Sequence, residues 1–170
     1  MNPLYPQQMA GFRRSVPFSS LPSNTAAGLL RFYPDPHLAL QLWSVYVRAV
    51  DPVLKILHIP TTQSAVIATI LAPGSSGAPM VALTFAIYFA AVTALGHFEE
   101  PVELPSERSA LLSGYKTALD QLLVMTDLMR RPDITSLQAL AIYVVCTPWS
   151  PLTEIRSHSV HIDLFTSPRS

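Results

Sequence analysis

Histidine and aspartate side chains at short spacing offer the most direct chemistry in this sequence, the binding of a metal ion. His158, His161 and Asp163 could supply three ligands from one short segment. A structural metal site needs a rigid scaffold and usually a fourth ligand. The segment supplies neither, so we predict no metal site.

A serine between glycines is the second candidate for chemistry. Gly74-Ser75-Ser76-Gly77 invites comparison with the sharp turn that exposes a nucleophilic serine in hydrolases. That turn needs a glycine two places after the serine and a strand before it, but Ala78 follows Gly77 and no strand pattern precedes the loop. The composition instead favours a linker.

The remaining acid and base candidates are isolated. Glu99, Glu100 and Glu103 are interpreted as a solvated loop. His58 is expected to be a partly buried side chain bonded to backbone, because the only nearby carboxylate, Asp51, is needed as a helix cap. Phosphate-cradling glycine motifs are absent from the sequence. We therefore predict a protein that is not an enzyme, with no catalytic residue, no cofactor and no metal.

Charge and cysteine content limit the classes of function. Eleven basic residues balance eleven acidic ones, whereas a protein that grips phosphates needs a local surplus of cations. Direct DNA binding by this chain alone is not expected. The single cysteine, Cys146, excludes an intramolecular disulfide and favours an intracellular compartment.

The first 34 residues form a Pro- and Ser-rich basic leader that we expect to be disordered. Its prolines interrupt both the apolar core of a secretory signal and the amphipathic helix of an organelle transit peptide. These prolines are Pro3, Pro6, Pro17 and Pro22. The last segment, residues 147–170, is expected to be a loosely ordered tail.

Between these ends, apolar residues recur at helical spacing from Asp35, which is predicted to cap the first helix, to Cys146. Asp51 is predicted to cap a second helix, with Pro52 in its first position. Pro60 disfavours helix in the residue before it, so a third helix is predicted from about Thr62 to Leu71.

The longest apolar run, Met80 to Leu95, is apolar almost all round and is too short to span a membrane comfortably, since spanning takes about 20 residues. We expect it to be the central buried helix. Two later helices are predicted, one from Ser106 to Arg131 and one opened by a Thr135-to-Gln138 capping box. The fold class is therefore all-α, an irregular bundle of about six helices around a central apolar helix, flanked by disordered tails.

Several of these segments resemble one known family. The motifs are Phe32-Tyr33-Pro34, Leu42-Trp43, Val50-Asp51-Pro52, Lys55-Ile56-Leu57-His58-Ile59-Pro60-Thr61, Phe85-Ala86-Ile87-Tyr88-Phe89-Ala90-Ala91-Val92-Thr93 and Leu137-Gln138-Ala139-Leu140. In this order they resemble the opening part of the fungal-specific transcription factor domain, the helical middle homology region of fungal zinc binuclear cluster regulators. Residues 35–146 would be a partial domain of this kind.

The resemblance implies a nuclear protein, with the cytoplasm as the alternative, that controls transcription in a metabolic or secondary-metabolite pathway. It implies protein partners, either a second copy or a co-regulator. No transmembrane segment is expected, because the longest apolar run is too short to span a membrane comfortably. Family members normally bind DNA through six cysteines in an N-terminal cluster, and this chain has none before Cys146. The family domain also continues with further helices, so a truncated gene product is one expectation.

Two other functions stay open at this point. One is a small helical module that binds a partner helix, an apolar effector or a membrane surface. The other is a nonfunctional remnant of a longer regulator.

Overall fold

The computed structural model describes residues 28–29, 31–95, 102–128, 130 and 132–147. In these ranges the chain is all-helical, which confirms the predicted fold class. The helices are α1 (Pro36–Val45), α2 (Asp51–Leu54), α3 (Ile59–Leu71), α4 (Ala78–Leu95), α5 (Arg108–Met125) and α6 (Ile134–Cys146). A π-helical turn, Tyr46–Val50, joins α1 to α2, and a short 3-10 turn, Pro73–Ser75, precedes α4.

Helix α4 is the centre of the bundle. It contacts α1, α3, α5, α6 and the π-helical turn, so neighbours cover it on most sides. Every residue from Val81 to Val92 is buried. A helix without a polar face is stable in water only when other elements cover it. The prediction of a central apolar helix is confirmed.

Length and composition alone would also allow α4 to cross a membrane. Inside this bundle, however, 72% of its residues are buried against other parts of the protein. Such burial is typical of the core helix of a globular domain. In the described part of the chain, α4 is the one helix that passes this length and composition test.

Arg108, the first residue of α5, closes the C-terminal end of α4. Its Nε atom donates to the carbonyl of Val92 at 2.8 Å, and its Nη2 atom donates to the carbonyl of Thr93 at 2.7 Å. The last four carbonyls of an α-helix have no partner within the helix. One guanidinium therefore satisfies two of them and places a positive charge at the negative end of the helix dipole.

Helix α1 begins where the sequence predicts, directly after Asp35. A side-chain oxygen of Asp35 accepts from the backbone N–H groups of His37 and Leu38 at 3.0 and 3.1 Å. This is the predicted cap.

The core also includes two residues of the proposed leader, since Leu29 is part of the buried cluster and Tyr33 packs against it. Residues 1–27 lie outside the described part, so the extent of the leader stays a prediction.

The chain does not break at Asp51-Pro52, where a second helix was predicted to start, but a few residues later. The backbone stays helical from α1 through the π-helical turn into α2, and the chain turns at Lys55, which has a left-handed φ of 50°. Asp51 is therefore not a cap, and its buried carboxylate lies 3.6 Å from the Lys55 ammonium instead. The cap prediction was wrong because the helix is not interrupted before Asp51, so Asp51 lies inside helical backbone rather than at a helix start.

Helix α3 begins three residues before its predicted start. Pro60 occupies its first turn, where proline costs no hydrogen bond and its fixed φ suits the helix. The prediction wrongly used Pro60 as a barrier rather than as a helix opener. The predicted end at Leu71 is confirmed.

Helix α5 ends earlier than predicted, and helix α6 has a different N-terminal cap from the predicted one. Helix α5 ends at Met125, and Asp127 has a left-handed φ of 49°, so the helix does not continue to Arg131 as predicted. Helix α6 is capped by Asp133 rather than by Thr135. The Asp133 carboxylate accepts from the Ser136 backbone at 2.9 Å and from the Ser136 hydroxyl.

Candidate functional site

His58 is exposed, in contrast to the partly buried, backbone-bonded side chain predicted from the sequence. Its Nδ1 atom lies 3.0 Å from the hydroxyl of Thr61, which itself donates to the His58 carbonyl. The residue thus belongs to a local turn at the start of α3. The turn provides no carboxylate to orient the imidazole, as a catalytic base would need.

Ser76, the best placed serine of the glycine loop, is a structural residue. Its hydroxyl lies 2.7 Å from the hydroxyl of Thr69 on α3, and Thr69 also donates to the Ala65 carbonyl. A nucleophilic serine is paired with a base, not with a second hydroxyl. The geometry therefore supports the linker interpretation.

The other sequence candidates are only partly visible. His158, His161, Asp163, Glu99 and Glu100 lie outside the described residues, and Glu103 is exposed. Within the described ranges, no three or more His, Cys, Asp or Glu side chains are grouped so that they could hold a metal ion. The absence of a catalytic or metal site in the whole chain stays a prediction.

An open cleft of about 560 Å³ lies between the start of α1 and the segment before α5. Asp35 lines it, but a side-chain oxygen of this residue already accepts from two backbone N–H groups of α1. The cleft therefore offers little fixed chemistry to a small ligand. Its lining residues are Asp35, His37, Leu38, Gln41, Glu103, Leu104 and Pro105.

Three tyrosines surround Phe85 in the core. The ring centroids of Tyr33 and Tyr115 lie 4.9 and 6.0 Å from that of Phe85, and Tyr88 lies 5.7 Å from it. Burial, with a smaller contribution from Asp35, raises the pKa of Tyr115 to about 12. Burial also raises the pKa of Tyr33 and of Tyr88 above its ordinary value. All three phenols therefore stay neutral near pH 7 and act as packing groups rather than as acids or bases.

Two polar side chains, Tyr46 and Asp51, are buried where α1 joins α2. The hydroxyl of Tyr46 and the Oδ1 atom of Asp51 are buried, and neither has a hydrogen-bond partner in the described structure. Burial raises the pKa of Tyr46, and the charges of Asp51 and Cys146 add to this effect. The pair is a local cost in stability, since a buried polar atom without a partner loses its hydration.

Side chains at the surface connect α5 to α6. The Lys116 ammonium donates to Asp120 Oδ2 at 2.9 Å, and the Tyr143 hydroxyl donates to Asp120 Oδ1 at 2.8 Å. The hydrogen bond of Lys116 to Asp120, with a smaller contribution from Tyr143, raises the pKa of Lys116. The three groups hold one edge of α6 against α5.

Among the residues that the structure describes, the outer face of α6 is apolar and exposed. Its exposed fractions are 72% at Ile134, 45% at Leu137, 63% at Val144 and 60% at Val145. Together with the exposed Ala141, these residues recur at helical spacing and form one face, which we call the α6 stripe. The opposite face of the helix, formed by Ser136, Ala139 and Ile142, is buried.

The α6 stripe was not identified from the sequence, because α6 is apolar on nearly every side. Periodicity predicted the helix, but it could not show which side the bundle covers. The one available signal was the complete lack of charged side chains in a helix at the end of the bundle. A stripe of this kind is a candidate protein-contact surface.

Known proteins with similar sequences are named as transcription factors or transcriptional regulators. The chain is 36% identical to the aurofusarin cluster transcription factor aurR2 of Gibberella zeae over 113 residues, which is 66% of this chain and 17% of the relative. It is 30% identical to the C6 finger domain transcription factor nscR of Arthroderma gypseum over 126 residues, which is 73% of this chain and 18% of the relative. The chain is homologous to the fungal zinc-cluster transcription factors. This homology confirms the resemblance that the sequence motifs indicated.

A further relative of this family is the transcriptional regulator nsrM of Aspergillus novofumigatus, 30% identical over 131 residues, which is 77% of this chain and 18% of the relative. The chain thus spans less than a fifth of the length of each of these fungal zinc-cluster relatives. No family model matches the chain, and no solved structure matches it.

Proposed function

We propose that this protein is a transcription regulator that acts through protein contacts in the control of a secondary-metabolite pathway. It works in the nucleus, is not an enzyme and does not contact DNA through the residues described above. The observation that carries the proposal is the homology to fungal regulators over about two thirds of the chain, including one named for the aurofusarin cluster.

The arrangement of charges supports action without DNA contact. Lys55 lies beside Asp51, Lys116 donates to Asp120, and Arg108 donates to the end of α4. Cations that pair within the protein are less available to neutralise phosphates, the contact on which DNA affinity depends. The overall balance of eleven basic and eleven acidic residues agrees with this.

The exposed apolar surface of α6 supports protein contact instead. The α6 stripe combines exposed branched side chains with a helix that carries no charge. Apolar surface of this kind is stabilised when a partner covers it, since roughly 25 cal/mol is gained for each Å² removed from water. Under this proposal the described residues act through such a partner.

The proposal is tested by expressing the full chain with a fluorescent tag in a filamentous fungus and measuring its location and the transcripts of secondary-metabolite clusters. We expect nuclear accumulation and a changed level of at least one cluster. Phe85→Asp, which places a charge in the buried aromatic group, is the matched loss-of-fold control. Exclusion from the nucleus together with unchanged transcripts would contradict the proposal, and a co-purifying lipid or metabolite would favour an effector-binding module.

A further inference from the structure

We propose that the segment before α1 is a strap that opens from the groove between α4 and α5 and closes on it again while the rest of the bundle stays folded. The strap consists of residues 28–29 and 31–34. This inference goes beyond the proposed function and does not depend on it, since it concerns how the chain before Asp35 is held on the bundle.

The strap fills the groove with three apolar side chains. Leu29 is fully buried in the core. Tyr33 packs edge-on against Phe85 of α4, with the ring centroids 4.9 Å apart. Phe32 lies over Gly114 of α5, because a Cβ atom at Gly114 would be only 3.2 Å from Phe32 Cδ1. Neighbouring residues of the strap therefore contact both helices.

Gly114 has a packing reason to be glycine. It lies within α5, and glycine inside a helix is less favourable than alanine because it loses more backbone freedom on folding. The missing Cβ leaves space for the Phe32 ring, two atoms of which would lie 3.2 and 3.6 Å from it. Gly114 therefore favours a closed strap while it weakens α5 itself.

The closed and the open strap should differ little in free energy. Burial of Leu29, Phe32 and Tyr33 favours closure, whereas the ordering of residues 28–34 opposes it by a similar amount. The backbone hydrogen bond described for the strap is local, from the Phe32 N–H to the Leu29 carbonyl at 3.0 Å. Segments of this kind open at a lower free energy than the core helices.

The helix that follows the strap does not need it. Asp35 caps α1 by accepting from the backbone N–H groups of His37 and Leu38. Pro34, directly before the cap, has no backbone N–H, so it ties no donor of the strap to α1. Helix α1 therefore keeps its cap when the strap opens, and the strap can separate at Pro34.

Limited trypsin digestion of the full chain in increasing urea, read by mass spectrometry, measures the opening. The bond after Arg31 lies inside the strap, and proteolysis of a native protein tracks the population of the open form. We expect cleavage after Arg31 at urea concentrations below the unfolding transition of the bundle. Cleavage after Arg48, in the π-helical turn, should appear only within that transition.

Variants at Gly114 test the contact with Phe32 without altering the residues around the cleaved bond. Gly114→Ala should raise cleavage after Arg31 about threefold and Gly114→Leu about tenfold or more, because the added carbons displace the ring. Gly114→Ala should not lower the urea midpoint of the bundle, since alanine favours helix. Ser113→Leu, at the adjacent exposed position of α5, is the matched control and should leave cleavage unchanged.

Three results would overturn the proposal. The first is cleavage after Arg31 only together with cleavage after Arg48, which would make the strap part of the cooperative bundle. The second is equal cleavage of Gly114→Leu and Ser113→Leu, and the third is loss of the urea transition of the bundle in Gly114→Ala. None of these results changes the proposed function, which nuclear accumulation and cluster transcripts test separately.

Discussion

Arg108→Met should destabilise the bundle because it removes the side chain that closes the C-terminal end of α4. The guanidinium donates to two α4 carbonyls at 2.7 and 2.8 Å, and methionine offers a similar length without a donor. Hydrogen bonds from a charged group contribute about 1.5–3 kcal/mol each, or about 3–6 kcal/mol for two. The site is only half-buried, so water can reach the freed carbonyls, and we expect a loss of about 2–3 kcal/mol.

Urea unfolding followed by far-UV circular dichroism measures this loss, and thermal unfolding should show a Tm lower by about 6–15 °C. Arg108→Lys keeps the charge but not the planar fork, so it should recover only part of the stability. The matched control is Arg130→Met, which removes an exposed arginine and should change stability by less than about 0.5 kcal/mol. If Arg108→Met were as stable as the Arg130 control, the assigned closure of α4 would be wrong.

Three further predictions concern the cap, the core and the tyrosines. Asp35→Ala should cost about 1 kcal/mol in urea unfolding and Asp35→Asn clearly less, because asparagine still accepts from the α1 backbone; equal losses would contradict a capping role. Phe85→Ala should lower the free energy of unfolding by about 3–5 kcal/mol, whereas Val144→Ala on the exposed stripe should lower it by under about 1 kcal/mol. A similar loss for both variants would refute the assigned core. Because burial raises the pKa of Tyr115 to about 12, above the unfolded value of about 10, its stabilisation is fully present below pH 10 and is lost as the pH rises from 10 to 12. The free energy of unfolding should therefore fall over that range, and a Tyr115→Phe variant should lose less over the same range; an equal loss in both proteins would remove Tyr115 as a cause.

The central helix could be predicted because its signal does not depend on neighbours. From Val81 to Val92 the sequence has no charged side chain, and such a helix has to be covered wherever it lies. Asp35 could also be predicted, since a cap followed by proline is a local pattern. The same pattern failed at Asp51-Pro52, because the helix there is already formed before the aspartate and continues through the π-helical turn.

The candidate surface could not be predicted from the sequence. Ile142 and Val144 are equally apolar and lie two positions apart, yet Ile142 is fully buried and Val144 is 63% exposed. The difference comes from where α4 and α5 hold α6, through contacts such as Tyr143 to Asp120, twenty-three positions away in the chain. Composition carries no information about contacts over that distance.

Native-state hydrogen exchange across α4 tests the central claim most directly, since amides of a fully enclosed helix exchange only when the whole domain unfolds. We predict that the amides from Val81 to Val92 exchange with one common free energy, equal to that of global unfolding in urea. Exchange of these amides through local opening, at a lower free energy than amides of α5 or α6, would contradict the placement of α4 at the centre of the bundle.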